Sequence, residues 1–249
     1  MENEQYVPES AMAIMAHPDD IEYSCAGTLF KWKNVGARIS YVLCTSGDAG
    51  INHLKVTRER AAEMREVEAL QAAAVAGITD VAFLREPDGL MQPTLELRKK
   101  IVREIRRFRP EVIICGDPTV LWTSRNYINH PDHRAAATAA VDAIFPAAGQ
   151  RNMFEEFELE GIHPFKPRKV YVSNSDQTDT FVSIDATIDL KIQALRVHIS
   201  QMITHDPEPH VREWAAKRAE GQDMAYAEAF RVITLVSDAD WEKNISISS

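Results

Sequence analysis

The sequence has no Ser/Gly-rich linker, no low-complexity run and no repeat at a solenoid period. That argues against a string of modules and predicts one domain over residues 1–249. Cysteine is sparse. Cys25, Cys44 and Cys115 form an odd, widely spaced set inside apolar stretches, which suggests buried free thiols rather than a disulfide framework. Positive charge is in deficit, the formal net charge being -9 at pH 7, so no nucleic-acid partner is expected. No apolar stretch reaches the roughly 20 residues that span a bilayer, so no membrane partner is expected. The opening residues Met1-Glu2-Asn3-Glu4-Gln5 lack the basic and apolar regions of a signal peptide, and a cytoplasmic protein is the expectation. A Gly-x-Gly-x-x-Gly turn is also missing after the first apolar run, which argues against dinucleotide binding of that type.

What is present alternates. Short apolar runs at Ala11–Ala16, Arg38–Cys44, Asp80–Leu84 and Glu111–Cys115 read as strands. Between and after them, Cys25–Val35, Thr57–Ala76, Thr94–Phe108 and His133–Ile144 read as helices, the third with Leu97, Ile101, Ile105 and Phe108 at helical spacing. This rhythm predicts an α/β fold with a mainly parallel sheet covered on both faces, a three-layer sandwich with its core over about residues 10–145. An extension with substrate-shaping loops over about residues 146–249 reads as two strands, Lys169–Ser173 and Thr180–Ile184, a helix at Ile188–Met202, and at least one more helix within Val211–Phe230. In such a sheet, ligands bind outside the carboxyl ends of the strands.

Two motifs fall at those ends: His17-Pro18-Asp19-Asp20 after the first strand and His130-Pro131-Asp132-His133 after the fourth. A catalytic zinc takes three protein ligands, His and carboxylate among them, and leaves one position open. His17 and Asp20 can face one point, and His133 at a helix start can supply the third ligand. Asp19 can take a proton from a metal-activated water. His130 can sit close without being a ligand and stabilise an oxyanion, with Asp132 fixing its tautomer. Each motif alone can equally be a turn and helix cap; the pair at two strand ends is the specific signal.

These motifs make the chain similar to the LmbE/PIG-L family of zinc-dependent N-deacetylases. Ala16-His17-Pro18-Asp19-Asp20-Ile21-Glu22 with Gly27-Thr28-Leu29 resembles its first signature, and residues 130–133 its second. Further resemblance lies in Thr45-Ser46-Gly47-Asp48-Ala49-Gly50, Arg65-Glu66-Val67-Glu68-Ala69, Arg109-Pro110, His198-Ile199-Ser200-Gln201 and Ala227-Glu228-Ala229-Phe230-Arg231. The resemblance implies a Rossmann-like fold and deacetylation of an N-acetylglucosaminyl or related N-acyl substrate. It implies Zn2+ held by His17, Asp20 and His133, with Fe2+ or Co2+ as other candidates. It further implies Asp19 as general base, His130 as electrophilic or acid group with Asp132 orienting it, and a homo-oligomer, trimer or hexamer. Some members carry a substrate-holding arginine directly before the second motif. Here that position is Asn129, and Arg125 in the same loop is the candidate substitute.

Other residues keep two readings. Arg58 reads as a substrate contact or as an ion pair with Glu59 or Glu63. Trp122 reads as a sugar-facing aromatic or as a pin holding its loop to the core. His198 reads as a packing residue or a substrate contact, and Glu22 as a capping or supporting carboxylate. His53 reads as surface, and His205-Asp206-Pro207-Glu208-Pro209-His210 as an extended loop rather than a second metal site. The alternatives to deacetylation are an amidase on a larger sugar-linked thiol conjugate and a non-catalytic sugar- or nucleotide-binding module.

Overall fold

The computed structural model describes residues 6–124, 127–203 and 206–248. Four strands, β1 (Ser10–Met15), β2 (Arg38–Thr45), β3 (Asp80–Glu86) and β4 (Val112–Gly116), pair in parallel. Helices α1 (Asp20–Ser24) and α2 (Ala26–Asn34) join the first pair, α3 (Arg58–Ala74) the second, and α4 (Leu95–Phe108) returns the chain to β4 beside β1. A two-stranded hairpin, β5 (Trp122–Ser124) and β6 (Tyr127–Ile128), precedes α5 (Pro131–Ile144). Then come α6 (Glu156–Leu159), β7 (Lys169–Ser173), β8 (Thr180–Ser183), α7 (Ile188–Val197), α8 (Glu208–Arg218), β9 (Ala227–Thr234) and α9 (Asp238–Ser248). The large sheet has seven strands in the order β3-β2-β1-β4-β7-β9-β8. β7 joins β4 in parallel, and β9 runs antiparallel to both β7 and β8.

Alternation along the strands makes the three layers. Met12 and Ile14 of β1 pack with α4 and α5 on one face, whereas Ala11, Ala13 and Met15 pack with α1, α2, α3 and α7 on the other. Both faces are buried, so the strands read as continuous apolar runs. Threonine caps set two helix starts: Thr57 and Thr94 accept from the amides of Arg60 and Leu97. The three cysteines are buried and free. No helix of the described residues is long and apolar enough to cross a membrane.

The expected mainly parallel three-layer sheet is present, with differences in its second half. The helix expected over Ile188–Met202 stops at Val197, where buried His198 caps it. The stretch expected to lie in an extended loop forms α8 from Glu208. Its prolines sit at the N-cap and first turn, where a missing N–H costs nothing. Ala227–Thr234 is a strand that helical spacing does not reveal. Glu228 on that strand is 3% exposed; it accepts from the amides of Gly27 and Thr28 and pairs with buried Lys191 at 2.5 Å. Gly27 allows this approach, since a Cβ there would lie 2.7 Å from Ile184 Cγ2.

Removing one partner of a buried ion pair strands the other charge. Lys191→Met is expected to destabilise the protein by about 3–5 kcal/mol. Arg60→Ala, which breaks an exposed pair with Glu63, is expected to cost about 1 kcal/mol or less. Urea denaturation of the three proteins checks this; equal midpoints for the two variants would count against it.

Candidate metal centre

The crevice lies where the chain reverses its direction of travel along the sheet, between β1 and β4. His17 leaves the end of β1, and Asp19 caps α1 with φ 96°. A non-glycine residue in that region costs on the order of 1–3 kcal/mol, a strain usually found at functional sites. Hydrogen bonds hold the turn: the amide of His17 donates to Asp20 Oδ2 at 2.8 Å, and Arg65 Nη2 donates to the Pro18 carbonyl at 2.5 Å. Arg65 is buried and also reaches the Gly47 carbonyl at 3.2 Å and Asp19 Oδ2 at 3.3 Å. Gly47 stands at φ 65° against this guanidinium, where any Cβ would clash.

His17, Asp20 and His133 converge. His17 Nδ1 lies 3.3 Å from Asp20 Oδ2, and His133 Nε2 lies 3.1 Å from Asp20 Oδ1. Donors sharing one tetrahedral zinc at about 2.0–2.1 Å are themselves about 3.3 Å apart, so this spacing suits one small cation. His130 is closer to the set than expected. The imidazoles of His17, His130 and His133 offer nitrogens within 4.8 Å of one another.

The other edge of His17 faces two carboxylates. Its Nε2 lies 3.1 Å from Asp88 Oδ1 and 3.3 Å from Asp132 Oδ2. Asp132 is fully buried and accepts from the amides of Gly89 at 2.7 Å and Met91 at 3.3 Å. This corrects the expected pairing of Asp132 with His130. Among the described residues, the Asp132 carboxylate bonds His17, while His130 Nδ1 accepts from the Asp132 amide at 3.2 Å. The reason is local: His130 is the N-cap of α5 and turns its ring onto its own helix start. With Nδ1 accepting, a neutral His130 carries its proton on Nε2. Burial, followed by repulsion from His17, lowers its pKa and favours that neutral form.

Asn129 is likewise not placed as a substrate-holding side chain. Its Oδ1 is 3.2 Å from His133 Nδ1, its Nδ2 donates to the Val120 carbonyl at 2.8 Å, and its amide donates to the Leu121 carbonyl. The amide oxygen fixes the His133 proton on Nδ1 and leaves the Nε2 lone pair on the side of Asp20, free to hold a metal ion. Arg58 pairs with neither Glu59 nor Glu63 among the described residues. It bonds Asp48 at 2.5 Å and the Asp88 carbonyl at 2.9 Å, tying together two loops at the rim. Trp122 is 66% exposed on the hairpin, so it does not pin the loop to the core. Arg125 and His205 lie outside the described residues. His53 is exposed, and His198 is buried 3.4 Å from Glu22, too poorly aligned for a hydrogen bond.

Asp88 and Arg65 are the site residues that sequence reasoning missed. Asp88 had a signal, because Glu86-Pro87-Asp88-Gly89 ends the third parallel strand at the same rim as both motifs. Arg65 stands in the stretch Arg65-Glu66-Val67-Glu68-Ala69 that carries part of the family resemblance, but its type and helical position alone gave no role.

The electrostatics suit a cation. Burial works against a charge on His17, but Asp20 and the hydrogen bonds to Asp132, Asp20 and Asp88 push its pKa up to about 12. Burial likewise opposes ionisation of Asp88, yet the His17 contact holds it down at about 2. Asp20 is held well below the usual carboxylate range against burial by His133 and His17. Three ionised carboxylates around one imidazole are a natural seat for a metal ion, whose charge would replace that of the proton. Asp19 behaves differently. Burial raises its pKa, Arg65 lowers it and Asp20 raises it, leaving it at about 6.

Residues 12–144, more than half of the chain, match the family model described as PIG-L, GlcNAc-PI de-N-acetylase. The chain belongs to this family. PIG-L relatives include a diacetylchitobiose deacetylase of Thermococcus kodakarensis, 29% identical over 90% of this chain and 83% of that protein. Among solved structures, N,N'-diacetylchitobiose deacetylase from Pyrococcus horikoshii superposes with a TM-score of 0.83 at 24% identity, covering 91% of this chain and 84% of that one. A 4-carboxy-2-hydroxymuconate hydratase, GalB of Pseudomonas putida, superposes at 0.73 and 20% identity, covering 92% and 97%. The fold therefore carries more than one chemistry. Membership in the family makes this chain an amide hydrolase acting on a non-peptide C–N bond.

If Asn129 fixes His133, Asn129→Ala is expected to weaken divalent-metal affinity by about 10–100-fold while leaving the fold intact. Competition titration against a chromogenic chelator reads this directly, and unchanged affinity would remove Asn129 from the role.

Proposed function

We propose that the chain is a zinc-dependent N-deacetylase of an N-acetylglucosaminyl or related substrate, folded as one domain. The observation that carries the reading is the convergence of His17, Asp20 and His133, with the Asp19 carboxyl beside them on the same turn, in a PIG-L chain. Two imidazoles and a carboxylate are a donor set used for catalytic zinc, though iron and cobalt also accept it. A cation held there supplies Lewis acidity toward the acetamide carbonyl and makes a water acidic enough to attack near pH 7.

The protein's own groups carry the rest. Asp19 takes the proton of the attacking water and returns it to the departing amine. Arg65, 3.3 Å away, holds that carboxylate in position and limits the rise caused by burial. Neutral His130 presents its Nε2 proton to the developing oxyanion. Asp88 and Asp132 orient His17 from behind, as carboxylates commonly orient metal-binding histidines. Arg58 sits half exposed at the rim, where its guanidinium can meet sugar hydroxyls.

Chelation is expected to abolish acetate release from N-acetylglucosaminyl substrates, and zinc to restore it. Asp19→Asn should retain metal yet lose about 10²–10⁴-fold in kcat. Metal analysis beside an acetate assay tests both; full activity after complete metal removal would refute the reading.

A further inference from the structure

The segment after Pro146 supplies none of the proposed ligands, yet it reaches the helix that follows Asp19. α7 packs against α1 and α3 and ends in the turn His198-Ile199-Ser200-Gln201. Ser200 ties that turn to α3: its amide and its hydroxyl donate to Glu68 at 2.8 and 2.7 Å. Arg65, one turn earlier on α3, grips Asp19 at 3.3 Å and the Pro18 carbonyl at 2.5 Å. One helix therefore holds both the proposed base and the turn that carries His198.

His198 has no exposed surface, and among the described residues neither ring nitrogen makes a hydrogen bond. A polar ring buried in this way costs free energy unless a nearby charge repays its lost hydration. Glu22 of α1 supplies that charge. It is 3% exposed, and its Oε2 lies 3.4 Å from His198 Nε2. Burial opposes a charge on the imidazole, but the Glu22 contact and then Asp19 outweigh it and raise the His198 pKa, with Arg65 opposing. Arg65, Asp19, His198 and Glu22 thus form a largely buried set of two cations and two anions.

The handle matters because α1 is only five residues long. A helix of that length has too few internal bonds to hold its own direction. Glu22 stands on it three residues after Asp19, whose φ of 96° also needs outside support to persist.

We propose that His198 is a positioning residue for the base: through its ion pair with Glu22 it sets α1 so that the Asp19 carboxylate is aimed at the metal centre. This rests on Asp19 being the base of the deacetylase reading above. A histidine that only packs needs a ring of this shape, whereas one that positions through an ion pair needs a ring that carries a proton-binding nitrogen.

The test uses the metal-loaded full chain. His198→Ala should lower kcat for acetate release about 10²-fold, the loss expected when a catalytic group moves by an ångström, with KM and metal content unchanged. Added imidazole should enter the cavity left behind and restore much of that rate. Pyrrole, which has the same shape but no basic nitrogen, should not. A wild-type rate in His198→Ala, or rescue by both rings, overturns the proposal. Glu22→Gln keeps the side chain's shape and removes its charge; it should show the same kcat loss, and a wild-type rate there also overturns the proposal. A double-mutant cycle of Asp19→Asn and His198→Gln on urea stability reads the link without turnover, with Glu22→Gln in place of His198→Gln should that variant not fold. Linked residues should be coupled by roughly fivefold or more in the folding equilibrium constant, whereas independent sites add. Coupling without acetate release by the wild-type protein keeps the link between His198 and Asp19 and refutes the deacetylase reading; acetate release with additive effects does the reverse.

Discussion

The structure depends on one crowded contact, the imidazole of His17 held among three carboxylates. Asp20 reaches one edge of the ring, and Asp88 and Asp132 reach the other. Each carboxylate comes from a different segment of the chain, and each is removed from bulk water. Such a group is tolerated only where amides and positive charge repay its lost hydration. The amides of Gly89, Met91 and Ala49 and the His17 backbone N–H do part of this. The remainder falls to the charge at the centre, whether a proton or a metal ion. The same arrangement that makes the crevice electrostatically demanding is therefore what makes it selective for a cation.

The late part of the chain supports this cluster from behind rather than entering it. Glu228 on β9 accepts the amides at the start of α2, and Lys191 bridges it to the end of α1. Glu68 accepts from Ser200, tying the turn after α7 to α3, the helix that carries Arg65. The short helix bearing Asp19 and Asp20 is thereby fixed at both ends, which lets a residue at φ 96° persist. Rigidity of this kind matters for hydrolysis, because a base misplaced by an ångström loses much of its advantage.

The core was legible because buried parallel strands leave plain apolar runs and their helices leave plain periodicity. Thr94, Leu97, Ile101 and Ile105 gave both the start and the inward face of α4. The two His-Pro-Asp motifs were legible because both lie at carboxyl ends of such strands. Ala227–Thr234 was not, since Glu228 interrupts the pattern and its burial makes sense only opposite Lys191, far earlier in the chain. The prolines around Glu208 misled in the other direction: they suggest an extended segment, but at a helix start they fit.

The sequence by itself determined the layers of the sheet, the strand ends at which chemistry gathers and the residue types available there, because these follow from local hydrophobic pattern and motif spacing. Only the tertiary structure decided which groups touch. It turned Asp132 from His130 to His17, gave Asn129 to His133, brought Asp88 and Arg65 into the site and set His198 beside Glu22. Those pairings join residues through space at distances of a few ångströms, and nothing in local spacing encodes the fold's choice among the many acids and rings that could have met.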